Sequence, residues 1–139
     1  MFYEFLEIND LSNFMNQKYK SADQIEEGYP LLRQAYLQGK FPEYLIEGLQ
    51  NLLVAAEGQP LIVRSSSLLE DNFEASFAGK YESVFCPNQG TPAENLSDLT
   101  RAIARVYSSV GNPDAIMYRK QMGLLDFDER MAALIQVVE

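Results

Sequence analysis

Arg64 is the side chain in this sequence best suited to hold an anion. It follows the short β-favouring run Leu61-Ile62-Val63, and three serines come directly after it, Ser65-Ser66-Ser67. A guanidinium group can bind two phosphate oxygens at once, and nearby hydroxyl groups add further donors. The alternative is structural: an arginine at a strand end that pairs with Glu70 or Asp71. Spacing alone leaves both interpretations open.

Gly79 and Ser83 form a second candidate pair. The run from Tyr81 to Cys86 favours a β-strand. On an extended chain, residues four apart point to the same face. A glycine there lets a ligand approach the backbone closely, and the serine hydroxyl can bond to that ligand. The alternative is a glycine in a β-bulge and a serine that faces solvent.

Gln136 is the third candidate, because it is the polar residue in the apolar run from Met131 to Val138. If this run is a buried strand, the amide must find hydrogen-bond partners. The edge of an adenine ring is one such partner. A neighbouring backbone group is the other.

Several kinds of catalytic and nucleotide site are excluded by residue types. The 139 residues include no histidine, which rules out Ser-His-Asp and Cys-His catalysis, histidine metal sites and a phosphohistidine carrier within this chain. No G-x-x-x-x-G-K-[ST] or G-x-G-x-x-G motif is present, so neither a P-loop nor a Rossmann site is supported. The acidic residues follow no recognisable metal-ligand spacing, and we predict no metal site.

Charge and hydropathy limit the kinds of partner that the chain can bind. The formal net charge is −9, from 20 acidic and 11 basic residues, which disfavours nucleic acid because its phosphates require a basic face. No apolar run approaches the roughly 20 residues of a membrane span, and the N-terminus lacks the basic start of a signal peptide. Cys86 is the one cysteine, which excludes an internal disulfide. We therefore expect a cytoplasmic chain without nucleic-acid or membrane partners.

The elements that position these residues change type at Gln59-Pro60. The first 58 residues have helical patterning. Helices are predicted at Asp10–Tyr19, at Ser21–Gln38 with Pro30 as a possible break, and from Pro42, as first helical residue, up to Gly58.

The second part, residues 59–139, mixes strands and helices. Strands are predicted at Leu61–Arg64, Tyr81–Cys86 and Met131–Val138, an ordered loop from Ser65 to Gly79, and helices near 92–110 and 113–122. Both helices have proline at their first position. This order predicts an α+β domain with helices packed on a small mixed sheet. A nearly unbroken apolar strand needs cover on both faces, so we expect the natural domain to continue beyond Glu139.

The segment from Pro60 to Ser83, PLIVRSSSLLEDNFEASFAGKYES, resembles the signature of the ATP-binding domain of the pyruvate phosphate dikinase and phosphoenolpyruvate synthase family. Glucan water dikinases and rifampicin phosphotransferases are similar there. The likeness continues through the predicted helix pair and ALIQVV, so it covers residues 41–138 well and 1–40 loosely. Lys80 and Ser83 stand where glutamine and threonine are frequent, and serine keeps the hydroxyl.

The resemblance implies a partial ATP-grasp-like fold with ATP between two subdomains. It implies that Arg64 contacts ATP phosphates, that Gly79 and Ser83 line the nucleotide pocket, and that Gln136 lies near the adenine. The parent enzyme would use ATP and Mg²⁺ to phosphorylate a histidine in another domain and then pyruvate. Its metal ligands, phosphohistidine domain and pyruvate-binding domain would all lie outside this chain.

On this hypothesis residues 1–139 are a single domain, a piece of a larger ATP-binding region, and are catalytically inactive alone. Two other hypotheses stay open. One is a related phosphotransferase that acts on a glucan or an antibiotic, and the other is a non-catalytic nucleotide-binding or adaptor module. The coding sequence on either side would separate them, because it would reveal a histidine domain and a pyruvate-binding barrel.

Overall fold

The computed structural model describes residues 1–67, 82–125 and 131–138. Its α-helices are α1 (Phe2–Ile8), α2 (Ala22–Leu37), α3 (Glu43–Ala56), α4 (Pro92–Ser108) and α5 (Pro113–Gln121). Its strands are β1 (Leu61–Ser67), β2 (Ser83–Cys86) and β3 (Met131–Val137), and short 3₁₀ helices span Ser12–Tyr19 and Ser109–Gly111. The α+β class is confirmed.

The three strands form one sheet with β1 in the middle, in the order β2-β1-β3. Both pairings are antiparallel, so the mixed sheet expected from the sequence is not what the described strands form. β2 and β3, which the helices α4 and α5 connect, run in the same direction, as a mixed sheet would require. Since β1 lies between those two strands, every neighbouring pair is antiparallel.

The two faces of the sheet have different surroundings. Leu61, Val63 and Cys86 lie on the buried face, and α4 packs across it against all three strands. Alternation along each strand puts the next residues on the opposite side. We call that side the open face; its described side chains, all exposed or partly exposed, are Ile62, Arg64, Ser66, Ser83, Phe85, Ala132, Leu134 and Gln136.

An aromatic cluster joins α1 to the rest of the core. Phe5 stacks on Phe41 with ring centroids 4.8 Å apart, and Phe2 meets the edge of the Tyr107 ring at 5.4 Å. Phe2, Phe5 and Tyr107 are almost completely buried. The helix α1 precedes the first helix predicted from the sequence, and these aromatic contacts explain why so short a segment is helical, since packing rather than propensity stabilises short helices.

Helix starts follow their sequence signals closely. Thr91 forms a capping box with Glu94, and Ser21 forms one with Gln24. Pro42 is the residue before α3 rather than its first residue. None of the helices in these residue ranges is long and apolar enough to cross a membrane.

Two local predictions need correction. Pro30 does not divide α2, which runs unbroken from Ala22 to Leu37 because its buried stripe continues on both sides of the exposed proline. Residues 65–67, expected to begin a loop, extend β1 because they pair in register with residues 131–133 of β3. A backbone that finds a partner strand satisfies its hydrogen bonds there, whatever the local sequence pattern.

Candidate functional site

Arg64 lies on the middle strand and projects from the open face. It is directly opposite Ser83 of β2 and Leu134 of β3. Directly opposed residues in antiparallel strands share a face, with Cβ atoms about 4.5–5.5 Å apart. The side chain is exposed, and no hydrogen bond or ion pair joins its guanidinium group to another described residue. Its predicted alternative partners, Glu70 and Asp71, lie outside the described residues.

Gln136 lies on the same face as Arg64 and Ser83. It is opposite Ile62, which makes it a diagonal neighbour of Arg64, at about 7–8 Å between backbones. The side chain is exposed, so the expectation of a buried amide was wrong. The physical reason is that β3 is an edge strand of the described sheet, and α4 packs against its opposite face. Gly79, the fourth predicted site residue, lies outside the described residues.

Apolar side chains that residue types alone did not single out surround these polar groups. Phe85 is 56% exposed and Leu134 is 49% exposed. Phe85, Ile62 and Gln136 stand in one row across the three strands. Because side chains alternate along a strand, Phe85 shares a face with Ser83. The sequence does not reveal which face of the strand is covered, so it could not identify Phe85 as a site residue. The open face therefore offers a cation, a hydroxyl and an amide beside an apolar surface, which suits a ligand with a flat ring and an anionic group.

Glu82 fixes the start of β2 behind this face. Its carboxylate accepts a 2.6 Å hydrogen bond from Arg105 Nε of α4, and Arg33 Nη2 of α2 lies 3.9 Å away. Burial raises the pKa of nearby Tyr29, and the Glu82 carboxylate raises it further, while Arg33 opposes the shift. The phenol is therefore neutral at ordinary pH. These contacts hold Ser83, the next residue, in place opposite Arg64.

The thiol of Cys86 lies on the buried face of the sheet. Burial raises the pKa of the Cys86 thiol, and Asp98 adds to the shift, so the thiol stays protonated. Within residues 1–67, 82–125 and 131–138, no three cysteine or carboxylate side chains come together as metal ligands.

A model of a nucleotide-binding family matches the whole chain. The family model described as pyruvate phosphate dikinase, AMP/ATP-binding domain, matches residues 1–139. That match includes the first 40 residues, which resembled the family only loosely. No solved structure matches the chain.

Three curated relatives are phosphoenolpyruvate synthases by name. A probable phosphoenolpyruvate synthase of Methanocaldococcus jannaschii is 31% identical over 137 residues, which are 94% of this chain and 10% of that protein. The enzyme of Neisseria meningitidis is 37% identical over 74% of this chain, and that of Pseudomonas aeruginosa is 34% identical over 74%. The chain spans only 10–13% of the length of these relatives. By its full-length match, the chain belongs to the family of pyruvate phosphate dikinase AMP/ATP-binding domains.

Proposed function

We propose that the open face of the sheet binds ATP through Arg64, Ser83 and Gln136. The observation that carries this proposal is the register of the sheet, which gathers these separated residues on one exposed face. Gly79 is proposed to complete the nucleotide pocket, as the resemblance implies. The family's AMP/ATP-binding description supports the choice of ligand.

Arg64 is proposed to hold the phosphates. Its guanidinium group has no partner among the described residues, so its donors are available. A planar group with five N–H donors can grip two phosphate oxygens, and Ser83 opposite can add a hydroxyl donor. No ion pair joins Arg64 to a carboxylate among the described residues, so in a chain of net charge −9 this cation is a local attraction for an anion.

Gln136 is proposed to face the adenine edge. A glutamine amide has both a donor and an acceptor, and adenine presents the complementary pair at N6 and N7. Ile62, in the same row, and Phe85 beyond it supply the apolar surface that a flat ring requires. We therefore expect the phosphates to lie beside Arg64, Ser83 and Leu134, and the adenine to lie beside Gln136, Ile62 and Phe85.

The wider activity is proposed from the relatives. The chain would be the ATP-binding part of a multidomain, phosphoenolpyruvate-synthase-like enzyme that phosphorylates a histidine elsewhere and then pyruvate. Because the chain has no histidine, any such acceptor lies in another part of the enzyme. The names of the three relatives favour pyruvate over a glucan or an antibiotic as final acceptor. Mg²⁺ would accompany ATP in that enzyme, held by residues other than those described.

Titration of ATP into the ¹⁵N-labelled chain, followed by amide chemical shifts, tests the site. We expect weak binding and shifts concentrated on Arg64, Ser83 and Gln136. Arg64→Ala removes a charge-assisted contact of about 1.5–3 kcal/mol, roughly 10- to 150-fold in affinity. Arg64→Lys should recover only part, because an ammonium group keeps the charge and loses the two-pronged geometry. Lys40→Gln, which removes an exposed charge elsewhere, is the control.

Two results would contradict these assignments. If Arg64→Ala leaves ATP affinity unchanged, both in the chain and in histidine phosphorylation by the whole enzyme, the assignment of Arg64 is wrong. If the chain alone binds ATP with a micromolar dissociation constant, it is a complete small binding module rather than part of a larger clamp.

A further inference from the structure

A cavity lies at the edge of β2; Phe85 of the open face lines it, and Arg64 does not. Its volume is about 280 Å³, and α2, β2 and α4 border it. Three of the chain's six arginines line it: Arg33, Arg101 and Arg105. We call this cavity the arginine pocket. In a chain of net charge −9, this is a marked local concentration of positive charge.

The arginines of this pocket are only partly neutralised. Glu82 accepts a hydrogen bond from Arg105 and lies 3.9 Å from Arg33. The Arg33 side chain is 34% exposed, and its 3.9 Å separation from Glu82 is too long for a hydrogen bond. Arg101 has no ion pair in the same part of the chain, although Asp98 also lines the pocket. Donors from all three arginines therefore remain available.

The spacing of Arg101 and Arg105 leaves a like-charge repulsion on α4 that Glu82, bonded to Arg105, offsets only in part. The two residues are one turn apart on α4, and both face the cavity. Like charges at this spacing repel each other and destabilise the helix. An anion between them would remove that repulsion and receive charge-assisted hydrogen bonds from both.

We propose that the arginine pocket binds a phosphate group, either free phosphate or the phosphate of a small organic ester. Its volume is close to the lower limit of small-molecule sites, which suits a phosphate or a small phosphate ester. Leu37, Val84 and Ala102 provide apolar walls for a short carbon group. The inference does not depend on the proposed ATP site, because the cations come from helices on the other side of the sheet.

The test is a titration of the ¹⁵N-labelled chain with inorganic phosphate, against sodium chloride at equal ionic strength. We expect saturable shifts at Arg101, Arg105 and the β2 edge that chloride does not produce. Arg101→Gln should weaken phosphate binding by about tenfold or more, because it removes a charged donor. Arg101 is exposed and outside any ion pair, so the variant should fold, as circular dichroism would check.

Asp98→Asn should change phosphate affinity in the opposite direction. Removing this carboxylate from the pocket lining should tighten phosphate binding, an effect that a merely structural arginine cluster would not produce. Lys40→Gln, with the same loss of charge outside the pocket, should change phosphate affinity by less than about twofold. Phenyl phosphate identifies the source: tighter binding than inorganic phosphate indicates an ester, and equal binding indicates free phosphate.

The proposal is overturned if phosphate and chloride give the same shifts. It is also overturned if Arg101→Gln and Asp98→Asn both leave phosphate affinity unchanged. ATP titration of Arg101→Gln separates the two sites, because that variant should keep the open-face shifts that Arg64→Ala loses. Failure of one set of variants therefore leaves the other conclusion intact.

Discussion

Ser83 and Arg64 face each other across neighbouring antiparallel strands, and each is the other's direct partner in the register. They are far apart in the sequence, and the ion pairs of Glu82 with two helices hold the strand that carries Ser83. A hydroxyl and a guanidinium group are thereby presented side by side on the open face. Their proximity is a property of the whole sheet rather than of any local motif.

The hydroxyl of Ser83 should contribute to ATP binding without contributing to stability. We expect Ser83→Ala to lower ATP affinity by about 0.5–1.5 kcal/mol, roughly 2- to 13-fold, the range for one net hydrogen bond. Ser83→Thr keeps the hydroxyl and should stay close to the parent affinity. Both variants should unfold at the same urea concentration as the parent, since Ser83 is exposed. Equal ATP affinity for the alanine and threonine variants would remove Ser83 from the site.

Tyr107 should make the chain less stable at high pH. Burial raises its pKa from 10.0 to about 12, with Tyr44 adding to the shift. A folded state that keeps its proton more tightly than the unfolded state is fully stabilised below pH 10, and it loses that stabilisation as pH rises towards 12. Between pH 9 and pH 11 the loss should be about 1 kcal/mol from this group.

Urea unfolding of the parent and of Tyr107→Phe at both pH values measures how much of the loss of stability comes from Tyr107. The phenylalanine keeps the aromatic contacts with Phe2 and Phe5 but cannot ionise. We expect a shallower decline in its free energy of unfolding. An identical decline in both proteins would show that Tyr107 is not the group responsible.

Two glycine substitutions should change stability in opposite directions. A Cβ at Gly111 would lie 2.6 Å from Leu32 Cδ1, in a buried contact between α2 and the 3₁₀ helix that follows α4. Gly111→Ala should therefore cost about 1–3 kcal/mol of overpacking. A Cβ at Gly48, on the exposed side of α3, meets nothing within 4 Å.

Gly48→Ala should accordingly stabilise the chain by roughly 0.5–1 kcal/mol, because alanine loses less backbone entropy in a helix. The midpoints of urea unfolding, fitted with one common slope of free energy against urea concentration, give both changes in stability. The packing description fails if the two variants shift the midpoint in the same direction.

The capping box at the start of α4 supports the helix that covers the sheet. Thr91 Oγ1 accepts from the Glu94 amide at 3.2 Å, and Glu94 Oε1 accepts from the Thr91 amide at 3.1 Å. Thr91→Ala should cost about 1 kcal/mol at neutral pH. Ser97→Ala, which removes an exposed hydroxyl in the middle of the same helix, is the control and should change stability little.

This box also predicts a dependence on acid. Hydrogen bonds from the Thr91 backbone and side chain hold the pKa of Glu94 below its usual value of 4.5. Its contribution is therefore present above that value and is lost as the pH falls through the lowered pKa. Glu94→Gln should show a shallower acid decline, measured by thermal unfolding between pH 6 and pH 3. A steeper decline in the variant would contradict the cap.

Local signals predicted most of the secondary structure because each acts within a few residues. The proline-led starts at Pro92 and Pro113, and the change of period at Pro60, each specify backbone geometry directly. Pro30 failed as a break because tertiary packing on both sides of it outweighs one missing hydrogen bond. Propensity is a weak prior wherever a buried stripe continues.

The site could be predicted only in part. Arg64, Ser83 and Gln136 were chosen by residue type and resemblance, but their common face depends on pairing between distant strands. The prediction that Gln136 is buried was wrong because the burial of a strand depends on which elements pack over it. The arginine pocket joins α2 to α4 across β2, and no sequence pattern spans that distance.

The central position of β1 has a consequence for how the molecule is made. Leu61 pairs with Cys86 on one side and with Val137 on the other, and both partners follow it in the chain. As the ribosome releases the polypeptide, β1 emerges with both edges open, and its second edge is closed only after β3 has been synthesised. Pairing between distant segments is slow, because the intervening chain must first be ordered. Arg64 and Gln136 therefore become neighbours only after β3 has joined β1, so nucleotide binding on the open face would report that this pairing has formed.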